Sequence, residues 1–558
     1  MKKLNCAFLI MILIALNGCS SSETYDILIK NGKIIDGTGR TGFIGNIGIN
    51  ADTIAAIGKL ENAKGKQEID AEGYVVSPGF INMLSWAGET LIADGRSQSD
   101  IRQGVTLEVM GEGWSMGPLN DKLKEEKIKE QDKIKYDVCW TTLGEYLDYL
   151  EKKGVSTNIA SFVGATTLRK YTVGYEDRIA TKEELDTMTA LVKQAMEEGA
   201  VGVSTSLPYV PAAFSTTEEI IALCKAAAEY DGMYISHIRN EGEKLLESLN
   251  EFIKIAKEAN IRSEIYHLKQ AGKPNWNKYD SMIHIINSVR AAGLQITADM
   301  YTYNASATGL NAVLPAWVKE GGFGKSRERL QDPVIRKKVL DEIIVKTEGK
   351  KGLRNVPFEG ILLIDFKNDS LKYLSGKTLS EVAKMRNTPP EETLLDLIVQ
   401  DSSSIGTIYF SMSEENVKKQ VALPWVSFCS DAGSYSAEGV FLEMGTHPRA
   451  YGSFIRVLGK YVRDEKVISM EEAIRKLSWL PATNLKIKKR GALKKGFFAD
   501  IVVFDPEKVQ DNATFDNPHQ YATGVIHVFV NGTQVLKNGE HTGALPGRFV
   551  KGPGWKQN

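Results

Sequence analysis

Two histidines about thirty residues apart, each closing a short apolar run, are the side chains best placed for chemistry: His237 in MYISHIRNEGE and His267 in EIYHLKQAG. Both runs are β-branched and aromatic and give way to a polar loop and then a helical pattern. That is the signature of a buried parallel strand whose carboxyl end opens into a site. Two imidazoles on neighbouring strand ends can point at one metal ion. The same placement puts Glu112 of GEGW after an earlier strand and Asp431 of CSDAGS after a later one. Two imidazoles and two carboxylates on one rim suit a borderline divalent ion such as zinc. Bland readings stand beside this one. A single His at a strand end is more often a structural hydrogen-bonder, Asp431 can cap its loop, and Glu112 can serve a turn. Convergence of all four favours the site.

The elements that would position them alternate strand and helix. Candidate strands fall at 75–81, 105–110, 158–163, 201–206, 233–237, 263–267, 295–300 and 425–430, the eight needed to close a parallel barrel. Amphipathic helices lie between several of them. One starts at Thr216 with Glu219 three residues on, a capping-box spacing, and another runs through EKLLESLNEFIKIAKEAN. The fold expected is α/β, a (β/α)8 barrel, with a doubly wound open sheet as the alternative. The spacing breaks once, between the seventh and eighth strands. Helices expected from Pro333 to Lys419 form an insertion at about 315–420 that would cover the carboxyl face.

Outside the middle the texture changes to short strands and Asn-Gly and Asp-Gly turns, in YDILIKNGKIIDG and NIGINADTIAAIG, and again in FFADIVVFDPEK and VIHVFVNGTQVLKNGEHTG. Neither end makes a sound core alone, so one small β-sandwich shared by both is expected. The resulting division is 20–76 and 488–558 for the sandwich and 77–487 for the barrel. At 558 residues, 42% hydrophobic and 25% charged with net charge -1, the chain has the make-up of an ordinary globular protein and no basic surplus for nucleic acid. Five cysteines do not make a disulfide framework, and Cys139, Cys224 and Cys429 read as small apolar residues.

Residues 1–19 have a basic start, an apolar run of about a dozen residues and LNGC, which resembles the bacterial lipoprotein signal with Cys19 as the acylated residue. A plain cleaved signal is the other reading. With Ser20 next, the signal implies an extracytoplasmic protein held by lipid at the outer membrane, tethered through SSSET.

Over nearly its whole length after the signal, the chain resembles the N-acyl-D-amino-acid deacylase (D-aminoacylase) family of the amidohydrolase superfamily. The resemblance rests on PGFIN, QGVTLEVMGEGWSMGPL, EEGAVGVSTSLPYVP, ISHIRNEGE, YHLKQAGKPNW, TADMYTYNASATGL, SDAG and THPRAYGSFIRVLGKY. It implies a barrel with a β-sandwich, His237 and His267 as ligands of one tightly bound zinc, and Asp431 as the catalytic aspartate that shuttles a proton. It further implies substrate contacts from Tyr209, Lys269, Ser306 and Arg449, with Arg449 forking onto the substrate carboxylate.

Three departures stand out. Where the family has Asp-x-His-x-His at the end of the first strand, this chain has Asn82, Met83, Leu84, Ser85 and Trp86, so one metal position is expected to be lost and refilled by Leu84 and Trp86. Glu112 stands where the family has a metal-binding Cys, a harder ligand that admits manganese or iron(II) beside zinc. Gly164, Ala165 and Thr166 replace a Gly-His-Gly. The resemblance implies a one-metal hydrolase of a small amide C–N bond, an N-acyl-D-amino acid first. The alternatives are an inactive ligand-binding lipoprotein and a hydrolase of a different cyclic or peptide amide. His447, in the loop beside Arg449, is a further candidate for touching substrate, whereas His284, His519, His527 and His541 read as structural or surface residues.

Overall fold

The computed structural model describes residues 23–347 and 355–557. The leader through Cys19 lies outside the described residues. Among those described, no helix is long and apolar enough to cross a membrane.

Two parallel sheets form the centre. One orders Phe80–Ser85, Val105–Met110 and Asn158–Ser161. The other orders Val163–Gly164, Gly202–Ser206, Met233–His237, Arg262–Ile265, Ile296–Met300 and Val426–Phe428. Nearly every position in these strands is buried, which is why they read as unbroken apolar runs rather than alternating ones. The sheets are joined at both edges. At one edge Phe162 N–H donates to Met110 O (2.9 Å) and Val201 N–H to Ser161 O (3.0 Å). At the other, Asp431 N–H donates to Leu84 O (3.0 Å) and Trp86 N–H to Ala432 O (2.9 Å).

The first expected strand, 75–81, is two strands. Val75–Pro78 pairs antiparallel with Ile501–Phe504, and Phe80–Ser85 runs parallel to Val105–Met110. Gly79 divides them: a Cβ there would lie 2.0 Å from Thr106 Oγ1, so only glycine lets the chain pass this close.

The helices between strands carry their caps in sequence. Thr181 and Glu184 form a reciprocal capping box at Lys182–Glu198, which ends in left-handed Gly199. At Thr217–Ala228 only half the expected box forms. Thr216 Oγ1 accepts from Glu219 N–H (3.1 Å), but the Glu219 carboxylate turns away to Arg169 Nη1 (2.7 Å) and Ser215 Oγ (2.7 Å). Arg169 is fully buried, and a buried guanidinium is a stronger demand on that carboxylate than a backbone N–H.

Both chain ends enter one hydrogen-bonded sheet of nine strands. Its path runs from Glu540–His541 through Thr533–Lys537, Val525–Val530, Ile501–Phe504, Val75–Pro78 and Thr24–Ile34 to Phe43–Asn50 and Thr53–Gly58, with Lys64–Asp70 beside Thr24–Ile34. Side chains alternate: Ile501, Val503 and Phe529 join a separate core with Ile29, Ile47 and Ile49, while Val502, Phe504 and Val528 pack into the main one.

The insertion holds more than the expected helices. Ser306–Gly309, Gly406–Tyr409, Ile361–Asp365 and Lys377–Thr378 form an antiparallel sheet. Helices Phe323–Gln331, Leu379–Arg386 and Pro390–Asp401 cover it around their own core of Leu363, Leu379, Leu394 and Ile398. Its first strand begins at Ser306, ahead of the expected start, because strands of two to five residues leave almost no periodic trace.

Candidate metal centre

The loop after Val105–Met110 is GEG, and both glycines are required by space. A Cβ at Gly111 would lie 2.4 Å from Phe162 O, and one at Gly113 would lie 2.5 Å from Ser206 Cβ. Both adopt positive φ, and the turn sends the Glu112 side chain inward. There Glu112 Oε1 lies 3.0 Å from His237 Nδ1 and 3.1 Å from His267 Nε2. The two imidazole rings stand edge to face, 4.4 Å between centroids. One carboxylate oxygen and two imidazole nitrogens therefore converge within 4.8 Å of one another, all buried. This donor set fits a single transition-metal ion of zinc type.

The strand expected to run to His267 ends at Ile265; His267 lies in the turn that follows at φ 36°, in the left-handed region, and its N–H donates to Asp299 Oδ1 (2.7 Å). Asp431 sits at φ 49°. Two non-glycine residues in this region cost about 1–3 kcal/mol each and concentrate at functional sites.

Glu241, which the sequence reading passed over, closes the cluster from behind. Its Oε1 lies 2.6 Å from Lys269 Nζ and 3.1 Å from His267 Nδ1, and its Oε2 lies 3.4 Å from His237 Nε2. Lys269 Nζ also lies 2.7 Å from His267 Nδ1, so the lysine expected to hold substrate is engaged with Glu241 and His267. Burial works against charge on both acids. Hydrogen bonds and charge from His237 and His267 nonetheless hold Glu112 well below the usual carboxylate range, and His237, Lys269 and His267 do the same for Glu241. At His267, burial and Lys269 lower the pKa, but Glu241, Asp431 and Glu112 outweigh them and raise it to about 10. The clue to Glu241 was its spacing, four residues past His237 in HIRNEGE.

A cavity of about 380 Å³ stands over the cluster, and all the expected site residues line it. Asp431 is not one of the three converging donors. Its Oδ1 accepts from Trp86 Nε1 (3.1 Å), and its Oδ2 pairs with Arg449 Nη1 (2.7 Å). Arg449 is buried over the Tyr301 ring, 4.6 Å to the centroid, and its Nε has no hydrogen-bond partner. His447 accepts from Arg449 N–H (2.9 Å) and donates to Ala305 O (3.0 Å), so it braces that arginine. Burial, then the charge of Arg449, hold His447 well below the usual imidazole value, so it is neutral. Tyr209 presents its ring edge to His237 at 5.3 Å and reaches Thr308 Oγ1 (3.0 Å), while Ser306 meets Ser411 Oγ (3.1 Å).

Of the two residues expected to refill the missing metal position, Leu84 is fully buried. Trp86 is 41% exposed and stands at the cavity wall, because its indole N–H has Asp431 to bond. Thr166 is buried with Oγ1 unpaired, and its N–H donates to Gly113 O (2.9 Å).

A family model described as the amidohydrolase family matches residues 443–536. The D-aminoacylase of Alcaligenes xylosoxydans xylosoxydans is 33% identical over 535 residues, spanning 95% of this chain and 98% of its own length. A structure of D-aminoacylase, described as having a binuclear metal center with one-metal activation and second-metal attenuation, superposes with TM-score 0.78 at 31% identity and covers 94% of this chain and 100% of its own. The N-acyl-D-glutamate deacylase of Bordetella bronchiseptica, complexed with zinc and a phosphonate mimic of the tetrahedral intermediate, superposes with TM-score 0.77 at 27% identity, covering 95% of this chain and 100% of its own.

Proposed function

This chain belongs to the D-aminoacylase family of amidohydrolases, and on that premise we propose that it hydrolyses the amide C–N bond of N-acyl-D-amino acids or closely related small amides. The observation that carries the reading is the convergence of Glu112, His237 and His267 within 4.8 Å beneath a cavity that also contains Asp431 and Arg449. Those three residues would hold one ion, zinc by donor type, with manganese or iron(II) admitted by the carboxylate. When bound, such an ion acidifies a water and polarises the scissile carbonyl.

The protein's own groups supply the rest. Asp431, oriented by Trp86 Nε1 and Arg449, takes a proton from the attacking water and delivers it to the leaving nitrogen. Arg449 receives the substrate carboxylate: its buried Nε is unpaired, and a guanidinium can serve Asp431 and a second carboxylate at once. Tyr209 and Ser306 flank the same cavity, and Glu241 with Lys269 keeps the imidazoles oriented. Hydrogen bonds at both edges of the two parallel sheets support a closed (β/α)8 cylinder, and the sheet shared by both chain ends supports the sandwich.

Leu84 and Trp86 at the first strand favour a second reading, a protein that binds its ligand without turnover. Metal analysis of the wild type beside Glu112→Ala and His237→Ala, with a panel of N-acyl-D- and N-acyl-L-amino acids assayed in added zinc or manganese, separates the two. One ion per wild-type chain, lost with activity in both variants, is expected. No metal and no hydrolysis would establish the binding protein. Metal with turnover only on other amides would establish a different amidohydrolase.

The LNGC sequence supports lipid attachment at Cys19 on the outer membrane. Cys19→Ser is expected to move the protein out of the membrane fraction on cell fractionation. An unchanged distribution would overturn the anchor.

A further inference from the structure

Beside the metal-site cavity lies a second one, of about 410 Å³, and the two share Trp86, Trp114 and Tyr435 as a common wall. It stands over the ends of the first three parallel strands, at Ser85, Met110 and Ser161. That is the side of the site from which the first-strand metal-binding pattern is missing. Its far lining is apolar: Met116, Leu119, Leu123, Ile134 and Tyr146, with the Tyr146 hydroxyl satisfied by donating to Gly88 O (2.6 Å).

The charged groups around it are compensated. Lys127 pairs with Glu89 (3.1 Å), and Lys170 pairs with Glu126 (3.0 Å) while standing over the Trp114 ring at 5.1 Å. Burial raises the Glu130 carboxyl toward its neutral form. A chamber of this size lined this way takes an apolar chain.

Its position says which chain. Arg449, Tyr209 and Ser306 line the first cavity and not the second. A substrate with its carboxylate on Arg449 and its carbonyl over Glu112, His237 and His267 has two further cavities beside it, this chamber behind Trp86 and Trp114 and one of about 420 Å³ reached past Tyr209 and Thr308, and of the two this chamber has the more apolar lining. We propose, resting on the hydrolase reading above, that this chamber binds the acyl chain, and that the preferred substrates are D-amino acids bearing a medium-chain fatty acyl group rather than acetyl. The reaction adds water across the amide: the C–N bond breaks, a C–O bond forms at the carbonyl carbon, and a fatty acid and the free D-amino acid leave.

The test compares kcat/KM for the N-acetyl, N-butanoyl, N-hexanoyl and N-octanoyl forms of one D-amino acid, and calorimetric binding of the same compounds to metal-stripped protein. A rise of about fourfold per methylene is expected in both until the chamber fills. Met116→Trp, which narrows the chamber, is expected to lower the octanoyl-to-acetyl ratio by about tenfold or more. A ratio is insensitive to the fraction of protein folded. If N-acetyl substrate is cleaved but both series are flat or falling with chain length, the chamber proposal is overturned and the deacylase reading stands. Tighter octanoyl binding with no cleavage of any member would sustain the chamber and overturn the deacylase reading.

Discussion

Glu112 shows how much a single residue owes to its neighbours. In isolation it is an acid between two glycines. In place it is a buried carboxylate shared by two imidazoles at 3.0 and 3.1 Å. Its support from behind, Glu241, is the residue whose role is most open to measurement. Glu241→Gln removes the charge that holds Lys269 and His267, and metal affinity is expected to fall about 10–100-fold, read by chelator competition. The same titration carries a pH signature. In the metal-free protein His267 keeps its proton to about pH 10, and a metal needs the neutral imidazole. Apparent affinity should therefore climb with pH, about tenfold per unit through neutrality, and level off near the His267 pKa. A flat profile would show that His267 gives up no proton when the metal binds. His237, His267 and Asp431 were legible from strand-end position, and Arg449 from motif. Glu241 and Tyr301 were not, because their roles depend on which loops meet across the rim.

At the scale of elements, the parallel strands bury acids as well as aliphatics. Glu264, within Arg262–Ile265, accepts from Thr297 Oγ1 (2.5 Å), Asn484 Nδ2 (2.9 Å) and Ser427 Oγ (3.3 Å), and faces Asp299 of the next strand. Burial, reinforced by Asp299, raises Glu264 to about 8, and burial raises Asp299 as well. A carboxyl with a folded pKa above its unfolded one binds more protons in the native state. Its contribution is complete below the ordinary carboxylate range and is lost as pH rises to about 8. Glu264→Gln carries no such proton, so the fall in melting temperature between about pH 5 and about pH 9 should shrink. An unaltered fall would mean that Glu264 is ionised in the fold. The start of Thr217–Ala228 was readable from its Thr216 cap. Short insertion strands such as Lys377–Thr378 were not, since two residues carry no period.

Over the whole molecule, the chain ends close on each other. Ile501–Phe504 lies between Val75–Pro78 and Val525–Val530, and its alternate residues serve two cores. Truncation after residue 487 would bare the Val75–Pro78 edge and uncover the main core where Val502, Phe504 and Val528 pack. Such a chain is expected to lose cooperative thermal unfolding and to aggregate. A sharp transition near the full-length temperature would mean that the terminal sheet is dispensable. The insertion reaches the site from the other side, through Ser306, Thr308 and Ile364 on the cavity wall.

By itself the sequence determined most of the central strands and the helices between them, and placed Glu112, His237, His267 and Asp431 after strand ends. Those properties follow from local periodicity, caps and residue chemistry. Tertiary structure alone decided that one Glu112 oxygen serves both histidines, that Trp86 bonds Asp431 instead of filling the core, and that a second apolar chamber opens beside the first. Each of these depends on distances between residues far apart in the chain, which no local pattern encodes.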